Sequence, residues 1–64
     1  MKPIHISDAH TYCDLRWGIR IHPADAFHWA HEENPKLDTV EVGGNMWTTD
    51  LWIADYLLAK GLIK

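Results

Sequence analysis

Four side chains in this chain have the spacing of metal ligands. His10 and Cys13 lie three apart, His28 and His31 lie three apart, and fourteen residues separate the pairs. Two close pairs of nitrogen and sulfur donors around a short connection are a pattern of small zinc modules, in which the metal holds together a fold too small to hold itself. Structural zinc sites usually supply more than one thiolate, however, and this chain has a single cysteine. The two later histidines also fall on a predicted helix whose buried side is Phe27 and Ala30. The plainer expectation is two solvent-facing histidines, a small buried thiol and no cofactor, with a zinc-stabilised module as the alternative. Cys13 beside a histidine is also the minimum for nucleophilic catalysis, but an activated thiolate needs a cleft and an oriented base. So short a chain offers little room for either, and a protein that is not an enzyme is expected. Gly43-Gly44-Asn45 ahead of a helix could offer backbone amides to a phosphate. It lacks a phosphate-binding lysine and Asp50 would repel the anion, so it reads as a turn.

Aromatic residues make the better lead. Four Trp, two Tyr and one Phe in 64 residues mean either that the small core is built from large plates or that some of the plates are contact residues. Trp52 and Tyr56 are four apart and share one side of the last helix, and Trp47 lies in the turn before it. At least one of the three is expected to cap the protein's own core. Together they are the candidate protein-binding residues, since aromatic anchors commonly dominate interfaces. The expected partner is another protein or a second copy in a homodimer.

Length and charge narrow the field further. A domain of this size buries only about 60% of its unfolded surface and sits near the margin of stability, so a partner would help it. A formal charge of −3, with six Lys and Arg, argues against nucleic acid. One cysteine requires no oxidising compartment. Nothing in the chain approaches the ~20 apolar residues of a membrane span, and no charged-then-apolar leader is visible, so a cytoplasmic protein is expected.

The elements that must position these residues follow from pattern. Pro3–Ile6 predicts a short strand, and Ala9–Leu15 a weak helix capped by Ser7. Trp17–His22 predicts a second strand, with Trp17, Ile19 and Ile21 on one side. Pro23 suits the first position of a helix over Ala24 to Glu33, which Asn34-Pro35 stops. Thr39–Val42 alternates polar with β-branched residues and predicts a third strand. Gly43-Gly44-Asn45 ends it. Thr48, Thr49 and Asp50 then cap a helix whose apolar positions are Leu51, Ile53, Ala54, Leu57 and Leu58, closed by Lys60, Gly61 and Leu62. A helix between two short apolar strands predicts an α/β domain, with a mainly parallel three-stranded sheet and two to three helices. The alternative is an α+β fold in which residues 19–22 pair antiparallel with residues 39–42. No linker or internal repeat interrupts this single small domain.

Three stretches carry a family resemblance. They are Ile4-His5-Ile6-Ser7-Asp8, Trp17-Gly18-Ile19-Arg20-Ile21 with Pro23-Ala24-Asp25-Ala26-Phe27, and Thr39-Val40-Glu41-Val42 with Thr49-Asp50-Leu51-Trp52-Ile53. Together they resemble the first half of a receiver-like, flavodoxin-like domain of small phage and bacterial proteins. The family's first acidic pair is here Asp8 alone, and Gly43-Gly44-Asn45 replaces its second acidic strand end. Receivers hold Mg²⁺ with clustered carboxylates, and one carboxylate does not make that site. The resemblance therefore implies a truncated relative without phosphoryl chemistry, a regulatory accessory protein of phage or mobile-element origin.

Overall fold

The computed structural model describes all 64 residues, Met1–Lys64. Its elements run β1 (Pro3–His5), a 3₁₀ turn (Ile6–Asp8), α1 (Ala9–Trp17), α2 (Asp25–Ala30), β2 (Val40–Val42), β3 (Asn45–Thr49) and α3 (Asp50–Ala59). The three strands form one sheet in the order β1-β3-β2. Both pairings are antiparallel, with His5 opposite Trp47 on one side and Val40 opposite Trp47 on the other. The expectation of a mainly parallel α/β sheet is thus corrected to a small α+β fold with an antiparallel sheet.

Two local causes account for the difference. Gly43 and Gly44 both take positive φ, 58° and 81°. Two consecutive residues of that kind make the hairpin turn whose twist matches the flanking strands, so the chain folds straight back as β3. Asn45–Thr49, expected as turn and cap, is therefore the central strand. The second cause is Gly18, in the left-handed region at φ 68°, where it closes α1 with its amide on the Asp14 carbonyl at 2.8 Å. Helix α1 consequently extends through Trp17, and residues 18–22 form no strand. Ile19 and Ile21 still pack against the core, singly and without a ladder partner. The antiparallel pairing of residues 19–22 with 39–42 does not form either; β2 pairs with β3 alone.

Helix α2 is shorter than the stretch to Glu33 that the pattern suggests. The Trp29 carbonyl accepts from the amides of both Glu32 and Leu37, which turns the chain back after Ala30. Helix α3 begins as its sequence suggests. The Thr49 hydroxyl accepts from the Trp52 amide at 3.1 Å, and Asp50 supplies the acidic first turn.

The helices cover one side of the sheet. Buried there are Ile4, Ala9, Cys13, Ala26, Leu37, Ile53, Tyr56 and Leu57, which form a single cluster. Thr48 lies under the same layer, its hydroxyl donating to the Asp38 carbonyl at 2.9 Å. That bond meets the requirement that a buried polar group find a partner. Only eleven residues are buried in all, so each core side chain carries a large share of the stability.

Candidate interaction surface

Alternation along the strands assigns each side chain to one side of the sheet. Ile4 and Thr48 point to the helices and are buried. Their neighbours Pro3, His5 and Trp47 therefore point away from them, and across the hairpin so do Val40, Val42 and Asn45. An antiparallel sheet covered on one side normally turns polar residues to the water. Here β2 does the reverse: Val40 and Val42 stand outward, 48% and 63% exposed, while Glu41 takes the helix side of the strand.

Trp47 stands at the middle of this outer face, in the central strand. Its row across the sheet is His5, Trp47 and Val40. The His5 ring meets the Trp47 ring edge-on, centroids 5.0 Å apart. His5 is itself held in place. The Ser7 amide donates to Nδ1 at 3.2 Å, and the Ser7 hydroxyl lies 2.8 Å from the same nitrogen. Nδ1 is therefore the acceptor, so in the neutral ring Nε2 carries the proton and donates to Asn45 Oδ1 at 3.1 Å. Serine, histidine and asparagine in a row suggest a nucleophile with an oriented base. The same Nδ1 is already engaged by the Ser7 backbone, however, and His5 is the N-cap of the 3₁₀ turn. The arrangement caps a turn and fixes the ring beside Trp47.

Two hollows open beside Trp47. One, of about 310 Å³, lies between β1 and α1 and is lined by Pro3, His5, Tyr12, Leu15 and Trp47, with Lys2 and Asp8 also on its wall. Leu15 is 82% exposed there. The other is shallow and almost wholly apolar, bounded by Pro3, Val40, Val42 and Trp47.

The three aromatic candidates are not brought together. Trp47 is on the outer sheet face and outside the core cluster, whereas Trp52 packs half-buried against that cluster. Tyr56 is 2% exposed, stacked on Trp29 at 4.8 Å, with its hydroxyl donating to the Glu32 carboxylate. Burial, then the bond to Glu32 and its negative charge, push the phenol well above its usual range. The large apolar residues that α3 does expose are Leu51 and Leu58, two of those expected in its buried stripe, together with Leu62 just beyond it.

The metal-spaced residues are likewise dispersed. No three of the His, Cys, Asp and Glu side chains gather as a metal site. Cys13 is buried in the core, and His31 Nδ1 is satisfied by the Phe27 carbonyl at 2.8 Å. Burial pushes the Cys13 thiol up to about 11, the opposite of an activated nucleophile. Gly43-Gly44 is a hairpin tip separated from α3 by the whole of β3, so it cannot present its amides with a helix N-terminus. Asp50 is held below the usual carboxylate range, chiefly by the Lys2 amide, which donates to it at 2.8 Å, and also by the Leu51 amide. It ties the first strand to the start of α3.

Sequence reasoning overlooked Val40, Val42, His5 and Leu15 as surface residues. One signal was present: Val40 and Val42 share a face of their strand, and Trp47 follows a two-glycine turn at hairpin spacing. No helix is long and apolar enough to cross a membrane. No family model, curated protein or solved structure matches this chain, so its surfaces must be interpreted from their own chemistry.

Proposed function

We propose that this is a small non-catalytic protein-binding domain, regulatory in character, whose contact surface is the outer face of its sheet centred on Trp47. The observation that carries this reading is the inverted alternation of β2, which turns Val40 and Val42 to the outside beside a half-buried tryptophan. A contiguous apolar patch on so small a protein marks a contact site more often than chance exposure does. Trp47, held edge-on by a fixed histidine, has the rigidity of an interface anchor. A second reading uses the C-terminal helix, where Leu51 and Leu58 share an outward face. That face lacks an aromatic anchor, because Tyr56 is turned inward.

A photo-crosslinking side chain placed at Val42, compared in cells with the same group at exposed Glu33, tests the proposal. Discrete adducts from Val42 and none from Glu33 are expected. Equal labelling from both positions, or none from Val42, would contradict it.

A further inference from the structure

We infer that the partner is an extended segment of another protein, which adds a fourth strand to the sheet along the free edge of β2. Its side chains alternate apolar residues with lysine or arginine. That partner rests on the protein-binding reading and specifies its chemistry.

The backbone supplies the first support. Gly43 and Gly44 form a two-residue turn, so the residues flanking it, Val42 and Asn45, exchange main-chain bonds. The next pair, Glu41 with Met46, then does not, and the Glu41 amide and carbonyl point away from β3. β3 is the only strand beside β2, and none of the main-chain bonds made outside the helices and strands engages Glu41. An unpaired edge of this kind is a template for another chain. The opposite edge is blunted. On β1 the Lys2 carbonyl is taken by the Asp50 amide, which leaves Pro3 facing outward with no amide proton to give. Helix α1 also stands across the hollow beside it.

Side chains say which segment fits. Residues of an added strand opposite Val40 and Val42 lie on the outer face, at the shallow hollow of about 410 Å³ that these valines form with Pro3 and Trp47. Its apolar lining takes aliphatic side chains. The residue opposite Glu41 lies on the other face of the sheet. Glu41 is exposed, and the only ion pair in the molecule joins Arg20 and Asp14, so its carboxylate has no cation. Opposite charges directly across two strands attract, and a formal charge of −3 favours a basic partner at longer range.

A second copy meets this chemistry less well. Two-fold pairing of β2 with itself sets Glu41 against Glu41 when centred there, and against Thr39 when centred on Val40. Neither register supplies a cation. A strand of three residues also falls short of the ~800 Å² that each partner of a stable dimer buries.

Fluorescence anisotropy of a labelled synthetic peptide of alternating leucine and lysine, titrated with the full chain, tests the inference. Binding is expected. N-methyl groups on the peptide's lysine amides, which face β2, should weaken it by about tenfold or more. Glu41→Pro should do the same, because it removes the outward donor and spares the ladder to β3. Glu41→Gln keeps that amide and should weaken binding only about threefold. Glu41→Lys should shift the preference to a peptide of alternating leucine and glutamate. Circular dichroism confirms that each variant is folded. No binding of the leucine–lysine peptide overturns the inference, as does binding that N-methylation and Glu41→Pro leave unchanged. So does a chain that sediments as a dimer and loses the dimer on Glu41→Pro, because the edge then holds a second copy. Val42 adducts that persist in the Glu41→Pro variant remove the added strand and leave the protein-binding reading intact. Absence of both peptide binding and adducts removes both.

Discussion

The inner side of the sheet faces the helices through Ile4 and Thr48, whereas the outer side borders α1 only along β1 and carries Pro3, Val40, Val42 and Trp47. Both sides are rich in apolar atoms, yet only one is covered by the chain's own helices. Burial of the inner side accounts for the fold. Val40 and Val42 remain largely in water in the folded chain, so the outer side adds little to the stability of a single copy. The inner contact is made within the chain, and the outer side is the surface proposed for a partner.

The contrast is broken most severely from the inside. Leu57→Ala removes a fully buried side chain and should cost about 3 kcal/mol. A 64-residue domain has only about 3–10 kcal/mol in total, so the variant's urea midpoint should fall sharply, or the variant should be largely unfolded.

Cys13 gives a test by pH. Its thiol ionises near 9 in the unfolded chain and is pushed up to about 11 when folded. A raised folded value means that the contribution is intact below pH 9 and is lost as pH rises from 9 towards 11. The slope should approach about 1.4 kcal/mol per pH unit. Cys13→Ala should remove the loss that begins near pH 9, leaving the loss above about pH 10 that the raised Tyr56 phenol contributes, whatever it does to stability at neutral pH.

Smaller effects are expected at the seam between β3 and α3. Thr49→Ala removes the cap on the Trp52 amide and should cost about 1 kcal/mol by thermal or urea unfolding. Thr48→Val keeps the shape but leaves the Asp38 carbonyl without its donor, a loss of about 1 kcal/mol. On the outer side the comparison predicts almost nothing for the monomer. Val42→Lys should change its unfolding free energy by less than about 0.5 kcal/mol, although it should weaken binding through the proposed surface. A large loss of monomer stability from Val42→Lys would mean that the outer side is structural after all.

How much of this was legible in the sequence varied with the range of the interaction. Thr49, Asp50 and the start of α3 were readable because a cap acts within three residues. The alternation of Thr39–Val42 likewise marked a strand. What failed was pairing. Trp17, Ile19 and Ile21 alternate like a strand, but a period of two reports which side chains share a direction, not whether a ladder partner exists. The glycine pair could be read as the end of a sheet or the tip of a hairpin. Which of the two it is depends on whether Met46–Thr49, rich in β-branched and aromatic residues, forms a strand. Tyr56 was misplaced for a different reason. Helical spacing puts it beside the apolar stripe, and only the distant contacts with Trp29 and Glu32 turn it inward in place of Leu51 and Leu58. Trp47 is a contact candidate in the sequence from its residue type and its place ahead of the last helix, and its companions become visible only when the hairpin sets Val40 beside it.

The most direct measurement of the central claim is a two-dimensional amide spectrum of isotopically labelled protein recorded across a concentration series of the alternating leucine–lysine peptide. Binding through the outer face predicts concentration-dependent shifts at His5, Val40, Val42 and Trp47, with the amides of Leu51 and Leu58 on α3 unmoved. Shifts confined to Leu51, Leu58 and Leu62, or no shift at the outer sheet residues at any concentration, would contradict it.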